Sequence, residues 1–187
     1  MYYECLKYAK LWGKLDEDGS YTCDDPNLQV VVVTDHVSLI TREKDSDTGT
    51  YLSETQAMAK WSTHYCLKYI NKRLNWATWD VQQTTMTSEG SEKRKMNTLE
   101  PGMEDAANNK EILRNSHIIL TLFNPFKNRI GEYRGFNIRK LEDGFRNLGI
   151  IKNRYGISNV NIPLWFDGAA GLYEEISKET QHKYFKN

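Results

Sequence analysis

The stretch that most limits what this chain can fold into is Val30–Ile40, which reads V-V-V-V-T-D-H-V-S-L-I. Four consecutive β-branched residues favour extended backbone, because branching at Cβ restricts χ1 and suits a pleated surface. A strand with one wet face alternates apolar and polar positions. An unbroken run instead predicts a central strand buried on both faces, as in a parallel sheet. Thr34 and Asp35 follow at once, so an acidic group stands at the strand's carboxyl end, where α/β folds gather ligand-binding groups. Taken alone, the stretch also fits a core strand that simply ends in a turn aspartate.

The remaining composition narrows the setting. The chain has 187 residues, enough for one domain with a real core. Lys+Arg and Asp+Glu balance at 25 each, which excludes a global field for nucleic acid, so any such contact must be local. Charge is unevenly spread: Asp16, Glu17, Asp18, Asp24 and Asp25 make the early part acidic, whereas eight basic residues fall between Lys127 and Arg154. The 3 cysteines form no C-x-x-C pair, so neither a disulfide framework nor a zinc site is indicated. With no apolar run of membrane-spanning length and no signal peptide, a reducing cytoplasm is the expected compartment and no membrane partner is expected.

Along the chain, Cys5, Leu6, Tyr8, Ala9 and Trp12 have helical spacing, and Gly13 stops that helix. Residues 14–27 read as a polar loop, and 41–50 as a charged one. Ser53 and Gln56 form an S-x-x-Q capping box that opens a long helix carrying Met58, Trp61, Tyr65, Cys66, Tyr69, Ile70 and Leu74 on one face. A short strand, Trp76–Val81, follows and ends in Gln82 and Gln83. Strand, loop, long helix, strand is the crossover that a parallel sheet requires. Trp61, Trp76, Trp79 and Trp165 are assigned to the core. A long polar segment, 84–105, contains Lys93, Arg94 and Lys95, and a helix near Glu104–Asn115 leads to the apolar strand Ile118–Phe123. Beyond it, glycines punctuate short apolar pieces (Phe136–Leu141, Leu148–Ile151, Val160–Phe166), which predicts hairpins. Gly171–Ile176 reads as a last strand, and the tail after Ser177 as frayed.

The order of these parts resembles the carboxyl-terminal part of the RecA-like motor domain of DnaB-type replicative helicases, especially those of bacteriophages. V-V-V-V-T-D-H-V-S-L-I looks like the family's Walker B strand, which puts its metal-associated aspartate at Asp35. W-A-T-W-D-V-Q-Q looks like the next strand, whose terminal glutamine senses the γ-phosphate; Gln83 fits best and Gln82 is its neighbour. N-N-K-E-I-L-R-N-S-H-I-I-L-T-L-F-N-P resembles the segment that passes the DNA-binding loop, and G-I-I-K-N-R-Y-G with I-P-L-W-F-D-G the closing hairpin. The hairpin's Lys-x-Arg pair, here Lys152 and Arg154, would act on a neighbouring subunit's nucleotide.

The resemblance implies an α/β, partial RecA-like (P-loop NTPase) sheet with C-terminal β-hairpins, spanning one domain. It implies ATP and Mg²⁺ as cofactors, and a hexameric helicase that acts on single-stranded DNA, with a primase or helicase loader as a further partner. Asp35, Gln83, Lys152 and Arg154 would be the catalytic and nucleotide-binding residues, with Asp35 on the metal. Lys93, Arg94, Lys95, Asn109 and Lys110 would face DNA. Two departures bear on this. No G-x-x-x-x-G-K-[ST] occurs anywhere, and no counterpart of the family's catalytic glutamate precedes Asp35. In the DNA-contact loop, Ala107 and Asn108 replace charged residues. The expectation is therefore a piece of a motor, inactive in isolation; the alternative is a non-catalytic RecA-like module that binds DNA or caps a helicase ring.

Overall fold

The computed structural model describes residues 2–17, 19–83, 99–103 and 110–185. They fall into two compact units, one built from residues up to Gln83 together with Asn108–Asn115, the other from the remainder. Among the described residues, no helix is long and apolar enough to cross a membrane.

The first unit opens with helix α1 (Tyr2–Trp12), which buries Cys5 and Ala9 and ends at Gly13 as its spacing predicts. Residues 14–27 do more than loop. Strands β1 (Gly13–Leu15) and β2 (Tyr21–Cys23) pair antiparallel, and Gly13 makes this possible because a Cβ there would lie 2.2 Å from the Thr22 carbonyl oxygen. Strand β3 (Val31–Thr34) pairs parallel with β4 (Ala77–Asp80), in register from Val31 opposite Ala77 to Thr34 opposite Asp80. The crossover between them is α2 (Glu54–Lys60). Its Ser53 Oγ accepts from the Gln56 N–H at 3.2 Å, while the Gln56 side chain accepts from the Ser53 N–H at 2.9 Å. Both halves of the predicted capping box are therefore made.

Past Lys60 the helix widens into π turns over Trp61–Asn71, and the Lys72 and Leu74 amides donate five residues back, to Leu67 and Tyr69. Met58, Trp61, Cys66, Ile70 and Leu74 are buried with Trp76, Val37, Cys5 and Ala9, the apolar face expected from the sequence. A short helix, α3 (Lys110–Asn115), packs on the same cluster through Ile112, and Asn115 donates to Ser62 Oγ at 3.0 Å.

The valine run does not behave as predicted. Val30 and Val32 pack on the helical core, but Val31, Val33 and Trp79 are 55%, 61% and 56% exposed. In a strand, alternate side chains point to opposite faces, and the described residues of this unit cover only one face of the β3–β4 pair. Trp79 accordingly lies outside the core, whereas Trp61 and Trp76 are inside it.

The second unit is a four-stranded antiparallel sheet in the order β10-β9-β8-β5, made of β5 (Ile118–Phe123), β8 (Phe145–Asn153), β9 (Val160–Asp167) and β10 (Leu172–Glu175). The predicted hairpins are present. Its core gathers Phe123, Tyr133, Phe136, Ile138, Leu141, Phe145 and Ile176. The piece Phe136–Leu141 is only partly strand. Strand β6 (Glu132–Tyr133) pairs with β7 (Phe136–Asn137), after which Asn137 accepts from the Lys140 amide at 3.3 Å and caps one helical turn, Ile138–Leu141. The tail is docked rather than frayed. Gln181 accepts from the Asn137 N–H at 2.9 Å, Tyr184 stacks on Trp165 at 5.2 Å, and Phe185 joins the core's margin.

Candidate functional site

In a parallel pair both strands end at the same edge, and here the two exits are tied together. The Val81 N–H donates to the Thr34 carbonyl at 2.9 Å, and the Val37 N–H donates to the Val81 carbonyl at 3.0 Å. Asp35 and the Gln82–Gln83 pair therefore leave one carboxyl edge side by side in the fold. Thr34 and Val37 are buried on either side of Asp35, which anchors the bend and leaves the carboxylate exposed. His36 takes up a left-handed backbone (φ 61), and its Nδ1 lies 2.9 Å from Ser38 Oγ, so the turn is locally braced. Gln83 is exposed and Gln82 half-buried.

This edge can offer one free carboxylate and two amides. Mg²⁺ is commonly held by one or two carboxylates plus substrate phosphates and water, not by a closed protein cage. A single exposed Asp35 fits that mode of binding, and no group of three His, Cys, Asp or Glu side chains suited to a metal occurs among the described residues. The nearby carboxylate of Asp80 has another task. It accepts from Trp61 Nε1–H at 3.0 Å and lies 3.9 Å from Cys66 Sγ, pinning the crossover helix to β4. Burial, with Asp80's charge beside it, pushes the Cys66 thiol far up, so this cysteine is no nucleophile. The sequence reading missed Asp80; its position opposite Thr34 is visible only once the register is known.

The Lys152–Arg154 pair sits in the second unit, where β8 turns toward β9. Lys152 lies opposite Ile119, and the ladder shifts between Ile119 and Leu120, so that Ile151 bulges. The Arg154 N–H continues the ladder to the His117 carbonyl at 2.9 Å. Lys152 is half-buried and Arg154 exposed. Desolvation and the adjacent Arg154 charge together lower the Lys152 pKa, so each cation stands in the other's field. The turn is pinned by Asn153, whose side chain accepts from the Tyr155 N–H at 3.0 Å and donates to the Ile157 carbonyl at 3.3 Å. Tyr155 and Ile157 are strongly exposed at its tip. Gly149 has a different part from Gly156. It lies within β8, where a Cβ would come 2.5 Å from Thr121 Oγ1, so it permits close strand approach rather than projection of the turn.

Lys93, Arg94, Lys95 and Asn109 lie outside the described residues. Lys110 opens α3, and its side chain lies outside them as well.

Among solved structures, the chain is similar to the ATPase domain of a DnaB-like helicase, with a TM-score of 0.66 at 15% identity, covering 94% of this chain and 50% of that one. It is also similar to a DnaB-like replicative helicase whose structure was described with its interactions with primase, with a TM-score of 0.61 at 18% identity over 82% of this chain and 32% of that one. No family model and no curated protein matches the sequence. The fold is thus α/β and RecA-like, that of part of a DnaB-type helicase ATPase domain, and the chain spans half or less of the length of either match.

Proposed function

We propose that this chain is part of an ATP-driven replicative helicase motor that moves along single-stranded DNA and opens the duplex. The observation that carries the reading is the shared carboxyl edge of β3 and β4, from which Asp35 and Gln83 emerge together in a fold similar to helicase ATPase domains. In this reading Asp35 would hold Mg²⁺, directly or through water, and Gln83 would donate its amide to the γ-phosphate. Lys152 and Arg154 would reach a neighbouring subunit's nucleotide in a homo-hexamer, where Arg's planar fork suits a phosphoryl group. ATP and Mg²⁺ would supply the reacting phosphoryl group and its charge neutralisation. Lys93, Arg94, Lys95, Asn109 and Lys110 would contact DNA phosphates, and a primase or helicase loader would be a further partner in the cytoplasm of the cell or of a phage host.

The missing phosphate loop supports a second reading, a non-catalytic module of a helicase ring. ATP turnover separates the two. The isolated chain is expected to hydrolyse no ATP, and a polypeptide in which a P-loop half is joined ahead of it is expected to do so. In that completed protein Asp35→Ala and Arg154→Ala should nearly abolish turnover, since fingers of this kind contribute roughly 10³-fold or more. Arg154→Lys should restore little. Mixed rings that combine Arg154→Ala subunits with subunits defective only in the P-loop lysine should regain activity if the finger acts between subunits. Turnover at the parent rate with Asp35→Ala would refute the motor reading in favour of the non-catalytic one.

A further inference from the structure

The second unit carries a surface that the nucleotide edge and the loop around residue 94 leave unused. The segment after β5 is a tight, rigid loop. Asn124 Oδ1 accepts from the Phe126 and Lys127 amides at 3.1 and 3.3 Å, and the Pro125 carbonyl accepts from both Asn128 and Ile130 N–H at 3.1 Å. Arg129 is held in the left-handed region at φ 59, an uncommon conformation for a non-glycine residue. The loop and the turn Ile138–Leu141 enclose an open groove of about 640 Å³ with Phe126 and Ile130 on its floor and Lys127, Arg129 and Arg139 on its rim. A second groove of about 750 Å³ shares Gly131 and Arg139 with the first and runs on past Lys178 and His182.

The charge balance of this track is one-sided. Asp143, the acid in the first groove, is already engaged by Arg146 at 3.4 Å and by the Asn124 amide at 2.6 Å. Lys127, Arg129 and Arg139 have no ion-pair partner among the described residues, and Phe126 is 42% exposed although large and apolar. Arg139 lies across Gly131, where a Cβ would come 2.7 Å from its Nε, so the missing side chain leaves that guanidinium in the seam between the two grooves. Unpaired cations flanking an exposed aromatic ring match a ligand with an anionic backbone and flat apolar faces. An acidic polypeptide would satisfy the rim and leave the aromatic floor unused.

We propose that this continuous groove binds single-stranded nucleic acid, with phosphates on Lys127, Arg129 and Arg139 and a base against Phe126. The site deepens the helicase reading by adding a strand contact apart from the loop around residue 94, but its test needs neither ATP nor a ring.

The purified 187-residue chain is titrated against a fluorescein-labelled oligothymidylate of about fifteen nucleotides, by anisotropy over a range of salt concentrations. A Lys127→Ala, Arg129→Asn, Arg139→Ala variant, with Asn chosen because it tolerates the left-handed backbone, should weaken binding. It should also reduce the slope of log affinity against log salt by about 2, at ~0.7 per phosphate contact on a single strand. Phe126→Ala should weaken binding roughly tenfold with the slope unchanged. Replacing the exposed Lys10, Lys14 and Lys72 of the first unit by Ala controls for net charge and should leave the slope as it was. Circular dichroism and thermal unfolding confirm that each variant folds. The proposal is overturned if the parent chain does not bind, if the groove variant keeps the parent slope, or if polyglutamate displaces the oligonucleotide as well as unlabelled strand does. Loss of binding confined to Lys93→Ala, Arg94→Ala, Lys95→Ala would overturn the groove and leave the helicase reading standing.

Discussion

Strands β3 and β8 begin from similar material and end in different circumstances. Strand β8 has β5 on one side and β9 on the other, and its first residues, Phe145, Arg146 and Asn147, are buried. Strand β3 has β4 alone, and it turns Val31 and Val33 to solvent. A parallel pair is ordinarily covered on both faces, so its open face is the less self-sufficient of the two. The difference teaches that a run of β-branched residues specifies a strand, while the number of neighbours decides how much of it is buried. It also separates two tasks: the second unit closes on its own core, and the first presents an edge and a face that a completed motor would use.

The largest effect should come from breaking the closed region. Phe145 is 0% exposed, and Phe145→Ala should cost about 3–5 kcal/mol. The matching change on the open face, Val33→Thr, should stay within about 0.5 kcal/mol. Urea unfolding of both variants checks the contrast, and equal costs would remove it. Next, Trp79→Ser should leave the unfolding midpoint almost unchanged yet reduce self-association in sedimentation velocity, because exposed apolar patches and open strand edges drive association. A smaller effect is expected from Ser53→Ala, which removes one half of the capping box at a cost of about 1 kcal/mol.

The smallest effect concerns Glu43. Hydrogen bonds from Lys60 and Tyr65 hold its carboxyl below the ordinary value of 4.5. A depressed folded pKa contributes stability that is present above the unfolded pKa and lost as pH falls through the folded one. Acid unfolding of Glu43→Gln should therefore differ least from the parent at the acid end, and the gap should open as pH rises past about 4.5. Solvent screening keeps this effect modest, since the side chain is 46% exposed.

Much of the first unit was legible because its signals are local. The capping box, the Met58–Leu74 face and the strand–helix–strand order each depend on residues a few positions apart. Exposure of Val31, Val33 and Trp79 was not legible, since it depends on which layers pack against the sheet. The β1–β2 hairpin was hidden because its pairing rests on the bare backbone of Gly13 rather than on an apolar pattern. Asp35 and Gln83 could be placed at strand ends from sequence, but the bonds that tie Val81 to Thr34 and Val37 appear only in the fold. The groove around Arg139 joins residues scattered from Phe126 to Phe185, too far apart for spacing to reveal.

Amide hydrogen exchange compared across β3 and β8, in the isolated chain and in a polypeptide completed by a P-loop half, tests the central claim most directly. The outward amides of Val31–Thr34 and Ala77–Asp80 should exchange rapidly in the isolated chain and become protected on completion, while those of Phe145–Asn153 remain protected in both. Equal protection of β3 and β8 in the isolated chain, unchanged on completion, would contradict the account.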